Sequence, residues 1–151
     1  MYFVDQQKIE QTLAHMESLL AFIKSESFTD VIKDQLAIER AGTVIIESII
    51  DVGNQMIDGF IMRDPGGYED IIDILQDEAV INEANARELK SVIRIRKSLA
   101  YEYTSLQGSE VLQVLKANNS SLEEFPGNIR VYLKNELGVI TAFLPDSRGN
   151  E

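Results

Sequence analysis

The stretch AIERAGTVIIESIIDVGNQMID, residues 37–58, carries the pattern that decides the fold class. Its apolar side chains recur at intervals of three and four residues, which is typical of an α-helix with one face turned to a core. The pattern continues on both sides and predicts a long helix over residues 29–62. Its apolar positions are Ile32, Leu36, Val44, Ile45, Ile49, Val52, Met56 and Ile57. Gly42 and Gly53 interrupt the pattern, which indicates close approach of another helix or a bend.

The rest of the chain shows the same helical period, and strong strand patterns are absent. The sequence therefore predicts an all-α fold. Further helices are expected over residues 5–24, 68–78, 83–103, 109–124 and 127–137. Asp5 and Asn82 have the side chains that N-caps favour. Pro126 is expected to separate the last two helices, because a proline inside a helix removes a hydrogen bond and clashes with the preceding turn.

Composition excludes several classes of function. The 151 residues include no cysteine, so disulfides, thiolate nucleophiles and cysteine metal sites are excluded. No apolar run is long enough to span a membrane, and the first residues do not resemble a signal peptide, so we expect a cytoplasmic protein. The net charge of −11 argues against a general coat for nucleic acid, and DNA is not expected as a partner.

Basic residues are concentrated in one segment of this acidic chain. The segment IRIRKSLAYEY, residues 93–103, ends in two tyrosines. Five of the fourteen basic residues lie in or just before it, at Arg87, Lys90, Arg94, Arg96 and Lys97. Two interpretations stay open: an exposed helix face, or a cleft that binds an anion such as a phosphate.

Three polar residues of the long helix form a second candidate feature. Glu47, Asp51 and Asn54 are spaced four and three residues apart, so they lie on one side of the helix. They form either a solvated face or an acidic wall opposite the basic segment. The only histidine, His15, is expected at the surface of the first helix. Phosphate-loop, dinucleotide-binding, zinc and nucleophile-elbow motifs are all missing, so neither a cofactor nor a metal is predicted.

The segment RKSLAYEY, residues 96–103, resembles the signature of the HepT-like family of HEPN-domain proteins. That signature is an arginine, four residues, a histidine, one residue and a tyrosine. Residues 37–58 are similar to the family's second helix, with its Glu-Arg pair followed by a glutamate and an aspartate. Pro65-Gly66-Gly67-Tyr68 resembles the Pro-x-x-Tyr element that follows it. The resemblance covers nearly the whole chain and extends to an uncharacterised Gram-positive branch of the family.

The resemblance implies an up-and-down helical bundle of five or six helices that forms a homodimer. It implies one HEPN-type domain over residues 1–144 and a flexible tail over residues 145–151. Active members of the family are metal-independent ribonucleases that act as toxins beside a nucleotidyltransferase antitoxin. The arginine and histidine cleave RNA, and the antitoxin adenylylates the tyrosine.

Matching the signature position by position gives Arg96 as the arginine and Tyr103 as the modified tyrosine. Tyr101 stands where the family has histidine, so the motif is degenerate. A tyrosine titrates near ~10 and is a poor general base at neutral pH. The sequence thus predicts a ribonuclease-type site with impaired cleavage, in which Arg94 and Lys97 contact RNA.

The expected geometry leaves open where Tyr101 lies. On a continuous helix, Arg96 and Tyr103 would be about 20° apart and Tyr101 about 140° away. Tyr101 is then off the site, or the helix unwinds, or Tyr101 reaches a site shared with a second subunit. Two rival functions also stay open. One is a non-catalytic homodimer that binds a protein or nucleotide, and the other is an RNA-binding module without chemistry.

Overall fold

A computed structural model describes residues 4–141 of the chain, and within that range every regular element is an α-helix. The predicted all-α fold is confirmed. The helices are α1 (Gln6–Ser25), α2 (Ile32–Gly59), α3 (Tyr68–Asp77), α4 (Glu83–Ile93), α5 (Arg96–Tyr101), α6 (Gly108–Ala117) and α7 (Asn119–Thr141). Since α4 and α5 are two parts of one interrupted helix, the described residues form a six-helix bundle. No helix in this range is long and apolar enough to cross a membrane.

The central element of the bundle is α2, which packs against α1, α3, α5 and α6. Its middle is buried, but Ile32 and Leu36, predicted to lie on the apolar stripe, are 76 % and 58 % exposed. They lie in the first two turns, on the side of α2 that no described helix covers. Close helix approach explains the two glycines. A Cβ on Gly42 would lie 2.9 Å from a methyl of Val111 in α6, and one on Gly53 would overlap Ile71 Cγ2 in α3.

The predicted caps of α1 and α4 are both present. The Asp5 carboxylate accepts a hydrogen bond from the Lys8 backbone N–H at 3.0 Å. The Asn82 side chain accepts one from the Asn85 backbone N–H at 2.8 Å. Behind the first cap, the predicted apolar stripe of α1 is buried, at Ile9, Leu13, Met16, Leu20 and Ile23.

Two predicted helix boundaries are wrong. The helix expected over residues 83–103 is interrupted at residues 94–95 and ends at Tyr101. Pro126 lies inside α7 rather than between two helices. The break occurs instead at Asn118, whose backbone N–H and side-chain amide both donate to the carbonyl of Val114, at 3.2 Å and 2.9 Å. Pro126 is buried, so core packing offsets the hydrogen bond that its ring removes.

The terminal helix α7 is joined to the bundle by polar contacts at two levels. Arg130 donates two hydrogen bonds to Glu10 and two to Glu17 of α1, at 2.6–3.0 Å. The buried amide of Asn85 in α4 donates to Ser121 at 3.1 Å and to Glu124 at 2.6 Å. These contacts fix α1 and α4 against α7. The domain boundary predicted at residue 144 and the tail over residues 145–151 lie outside the described residues and stay predictions.

Replacing Gly53 by alanine tests the close contact between α2 and α3. The added methyl would overlap Ile71 Cγ2, which is attached directly to Cβ and has little room to move. Overpacking of this kind costs about 1–3 kcal/mol, more than the roughly 1 kcal/mol that alanine gains over glycine in a helix. We expect Gly53→Ala to lower the free energy of unfolding, measured by urea denaturation.

Gly127 provides the matched control, because a Cβ there would meet no atom within 4 Å. Gly127→Ala should raise the free energy of unfolding by up to about 1 kcal/mol through helix propensity alone. Equal effects of the two substitutions would contradict the packing explanation.

Candidate functional site

A cleft lies between the start of α3 and the junction of α4 with α5. Its volume is about 520 Å³, within the range of small-ligand sites. The side chains that define its chemistry are Tyr68, Glu69, Arg94, Arg96, Lys97 and Tyr101. The cleft therefore combines three cationic side chains with two tyrosines, in a chain that is otherwise acidic.

The interruption between α4 and α5 brings the signature residues to this cleft. Arg94 and Ile95 form a turn in which Ile95 N–H bonds to Val92 at 3.2 Å, and this turn separates α4 from α5 just before Arg96. Tyr101, the last residue of α5, is 72 % exposed and lines the cleft with Arg96. The alternative that puts Tyr101 off the site is therefore wrong. The helix is indeed interrupted, but before Arg96 rather than at Tyr101.

The Glu102 N–H makes the last helical bond of α5, to Ser98 at 3.1 Å, so Tyr103 lies past the end of the helix. The Tyr103 side chain is 67 % exposed and does not line the cleft. The prediction that Arg96 and Tyr103 share one helix face fails, since it required the helix to continue from residue 96 to residue 103 and α5 ends at Tyr101. Tyr103 remains accessible at the surface next to the site.

Arg96 is held by two groups on different helices. Its Nε donates to Glu47 Oε1 of α2 at 2.7 Å. Its guanidinium carbon lies 4.3 Å from the centre of the Tyr68 ring in α3, a cation–π contact. The bond to Glu47 raises the pKa of Arg96, so the guanidinium is charged. Within residues 4–138, neither terminal nitrogen of Arg96 has a hydrogen-bond partner.

The neighbouring cations are also paired with carboxylates of α3. Arg94 contacts Glu69 through Nε at 3.0 Å and through Nη2 at 2.9 Å. Lys90 Nζ lies 2.7 Å from Asp73 Oδ1. Lys97 makes no ion pair with any residue that the structure describes. The ion-paired side chains of the basic segment thus line a cleft, and the binding of an anion there stays a prediction.

The acidic wall predicted on α2 is only partly present. Glu47 reaches the basic segment, but Asp51 is exposed, Asn54 is partly buried, and neither lines the cleft. Most of the acidic residues that pair with the basic segment come from α3. The spacing of residues along α2 could not reveal them, because they belong to another helix. His15 is exposed on α1 and does not line the cleft either. In the described range no three His, Cys, Asp or Glu residues form a group that could hold a metal ion.

A tight clamp holds the loop that leads into the cleft. The Asp70 carboxylate accepts two hydrogen bonds from Arg63, at 2.7 Å and 2.8 Å, and one from the Gly66 backbone N–H at 2.8 Å. Arg63, with help from the Gly66 N–H, lowers the pKa of Asp70 to about 2. Sequence reasoning missed this pair. The signal available was an arginine and an aspartate on either side of the Pro-Gly-Gly turn.

Comparison with known proteins assigns this helical bundle, with its cleft lined by arginines, to a known protein family. The family model described as "Ribonuclease HepT-like" matches residues 9–129, and the chain belongs to this family. The predicted membership of the HepT-like family is confirmed. A full-length relative is "Putative RNase YutE" from Bacillus subtilis (strain 168). It is 48 % identical over 143 residues, which cover 95 % of this chain and 99 % of the relative.

Solved structures show the same fold. The structure of YutE from Bacillus subtilis, described as a cytosolic protein of unknown function, matches with a TM-score of 0.89 at 48 % identity. The match covers 91 % of this chain and 96 % of YutE. A tri-AMPylated HEPN toxin of Shewanella oneidensis, solved in complex with an MNT antitoxin, matches with a TM-score of 0.71 at 18 % identity. This second match covers 82 % of this chain and 96 % of the toxin, and it supports the HEPN fold.

The clamp on Asp70 predicts a pH-dependent contribution to stability. Because the pKa of Asp70 falls from 3.8 to about 2 on folding, its contribution is fully present above pH 3.8 and is lost as the pH falls toward 2. The gap in urea midpoint between wild type and Asp70→Asn should thus be constant from pH 7 to 5 and narrow below pH 4. A gap that widens toward low pH would contradict the assignment.

Proposed function

We propose that this protein binds RNA in the Arg96 cleft, at a ribonuclease-type site whose cleavage step is impaired. The observation that carries the proposal is the state of Arg96, which is charged and held from two sides. The Glu47 bond uses only Nε, and the two terminal nitrogens have no partner within the described residues. Those nitrogens are the pair that binds two phosphate oxygens in the usual arginine–phosphate geometry.

The other side chains of the cleft suit an RNA strand. Among the described residues Lys97 pairs with no carboxylate, and Arg94 could exchange its exposed contact with Glu69 for a phosphate at little cost. Tyr68 and Tyr101 are 48 % and 72 % exposed, so both rings are accessible for stacking on bases. Arg94, Arg96 and Lys97 then contact phosphates, and the tyrosines contact bases.

Cleavage requires a group that takes the proton from the ribose 2′-hydroxyl. In the family signature this group is the histidine, which titrates near neutral pH. Tyr101 occupies the corresponding position at the edge of the cleft. A phenol can donate a hydrogen bond or stack on a base, but it is poorly suited to accept the proton. We therefore propose that the chain still binds RNA at this site but cleaves it slowly.

The same proposal includes the assembly that family membership suggests. The chain acts in the cytoplasm as a homodimer, with a nucleotidyltransferase antitoxin as partner and Tyr103 as the adenylylated residue. The exposure of Tyr103 supports an enzyme's access to its hydroxyl. Sedimentation velocity tests the dimer, and the mass of a single chain would refute it. Mass spectrometry after co-expression with a neighbouring nucleotidyltransferase gene tests the modification.

A second candidate is a non-catalytic module that binds a nucleotide or a partner protein. The pairing of Arg94 and Arg96 with Glu69 and Glu47 favours it, because structural ion pairs have this form. Binding of a nucleotide but not of RNA to the purified protein would select this function. In that case Arg96→Ala should weaken nucleotide binding in the same way.

RNA binding by the cleft predicts a specific effect of Arg96→Ala. Hydrogen bonds to charged groups contribute about 1.5–3 kcal/mol, so affinity for a fluorescent single-stranded RNA should fall about tenfold or more. Fluorescence anisotropy at fixed salt measures this change. Lys8→Ala is the control, because Lys8 is an exposed cation on α1, away from the cleft. Equal losses in both variants would indicate only a general effect of charge.

The position of Tyr101 predicts a gain of activity in Tyr101→His. A well-placed general acid or base contributes about 10²–10⁴-fold, so cleavage of the same RNA should rise about 100-fold or more over wild type. The double variant with Arg96→Ala should lose the gain. Gel analysis of end-labelled RNA without divalent ions measures it. Efficient cleavage by the wild type, or no gain in the variant, would refute the impaired-site proposal.

A further inference from the structure

The first turn of α3 presents three consecutive residues that each hold a different arginine. Tyr68 stacks on Arg96 with 4.3 Å between the ring centre and the guanidinium carbon. Glu69 pairs with Arg94 at 2.9 Å, and Asp70 pairs with Arg63 at 2.7 Å. One helical turn thus contacts the loop between α2 and α3, the junction of α4 with α5, and Arg96.

The two supports of Arg96 restrict different motions. The bond from Nε to Glu47 fixes one edge of the guanidinium but still permits rotation about that bond. The Tyr68 ring covers one face of the group and opposes this rotation. With both supports in place, the edge that carries the terminal nitrogens is oriented. Arginine loses less entropy on binding when its planar group is held in this way.

Tyr68 is itself fixed by the clamp on the preceding loop. Asp70 binds the Arg63 guanidinium in the middle of the loop and the Gly66 N–H near the loop's end. Tyr68 lies between Gly66 and Asp70 and begins α3. The ring is 48 % exposed, so the surrounding core does not enclose it, and the clamp supplies the constraint.

We propose that Tyr68, fixed by the Arg63–Asp70 clamp, is a positioning residue that orients Arg96 toward an RNA phosphate. This inference rests on the proposed RNA binding for its consequence, but the orientation of Arg96 is a property of the free protein. The ring face is the part of Tyr68 that acts. Phenylalanine should therefore replace tyrosine, and leucine should not.

The test follows the Arg96 Nε–H signal by NMR in the free protein, with the signal assigned by its absence in Arg96→Lys. In wild type this proton should be shifted upfield by the ring and should exchange slowly with water. Tyr68→Leu should abolish the shift, speed the exchange and weaken RNA binding about threefold, the size of an exposed cation–π contact. Tyr68→Phe should retain all three properties. Circular dichroism and urea midpoints verify that both variants fold.

A matched pair of substitutions on α3 tests the clamp. Asp70→Asn removes the negative charge and one of the two acceptor oxygens, so the paired bonds to Arg63 cannot both form, and it should change the Arg96 signal in the direction of Tyr68→Leu. Asp77→Asn makes the same change of charge on the same helix but removes only a 3.6 Å contact with Arg63, and it should leave the signal unchanged. Equal responses to the two substitutions would overturn the role of the clamp.

The outcomes separate this inference from the proposed function. An Arg96 signal that is the same in wild type and Tyr68→Leu overturns the positioning role, whatever the RNA affinity. Equal losses in Tyr68→Phe and Tyr68→Leu overturn the role of the ring face. A signal that responds as expected in a protein that does not bind RNA supports the positioning role and refutes the proposed function.

Discussion

The close packing of α3 on Gly53 of α2 determines where the cleft lies. A side chain at position 53 would push Ile71 away, and with it the first turn of α3. That turn carries Tyr68 and Glu69, which hold the two arginines at the junction of α4 with α5. Glu47, which holds Arg96 from the opposite side, belongs to α2 itself. The distance between two helices therefore sets the geometry of a charged site.

Some of the carboxylates that make the chain acidic orient the arginines of the cleft. Each arginine of the cleft is paired with a carboxylate, so the positive groups are oriented before any ligand arrives. These pairs are partly exposed, and pairs of this kind contribute little to stability. Their contribution is orientation, because they restrict long side chains that would otherwise sample many rotamers. An acidic protein can in this way present a small cationic surface.

The sequence predicted the helices well because apolar periodicity and N-cap residues are local signals. Of the two interpretations that it left open for Glu47, the one that places this residue opposite the basic segment agrees with the bond between Arg96 and Glu47. The sequence did not predict the interruption before Arg96 or the continuity of α7 through Pro126. Both depend on packing between distant segments, which local propensity does not encode. The part of the cleft contributed by α3 was missed for the same reason, since Glu69 and Arg94 are 25 residues apart.

The buried Asn85 gives α4 a defined rotational setting. Its amide meets Ser121 and Glu124 of α7 only in the observed orientation. A shift by one residue would turn the helix by about 100° and leave that amide among apolar side chains without a partner. The same rotation would carry Lys90 and Arg94 away from the acids of α3. The hydrogen bonds of the neutral Asn85 side chain thus favour one rotational position of α4 over the neighbouring positions. They thereby favour one alignment of the basic surface.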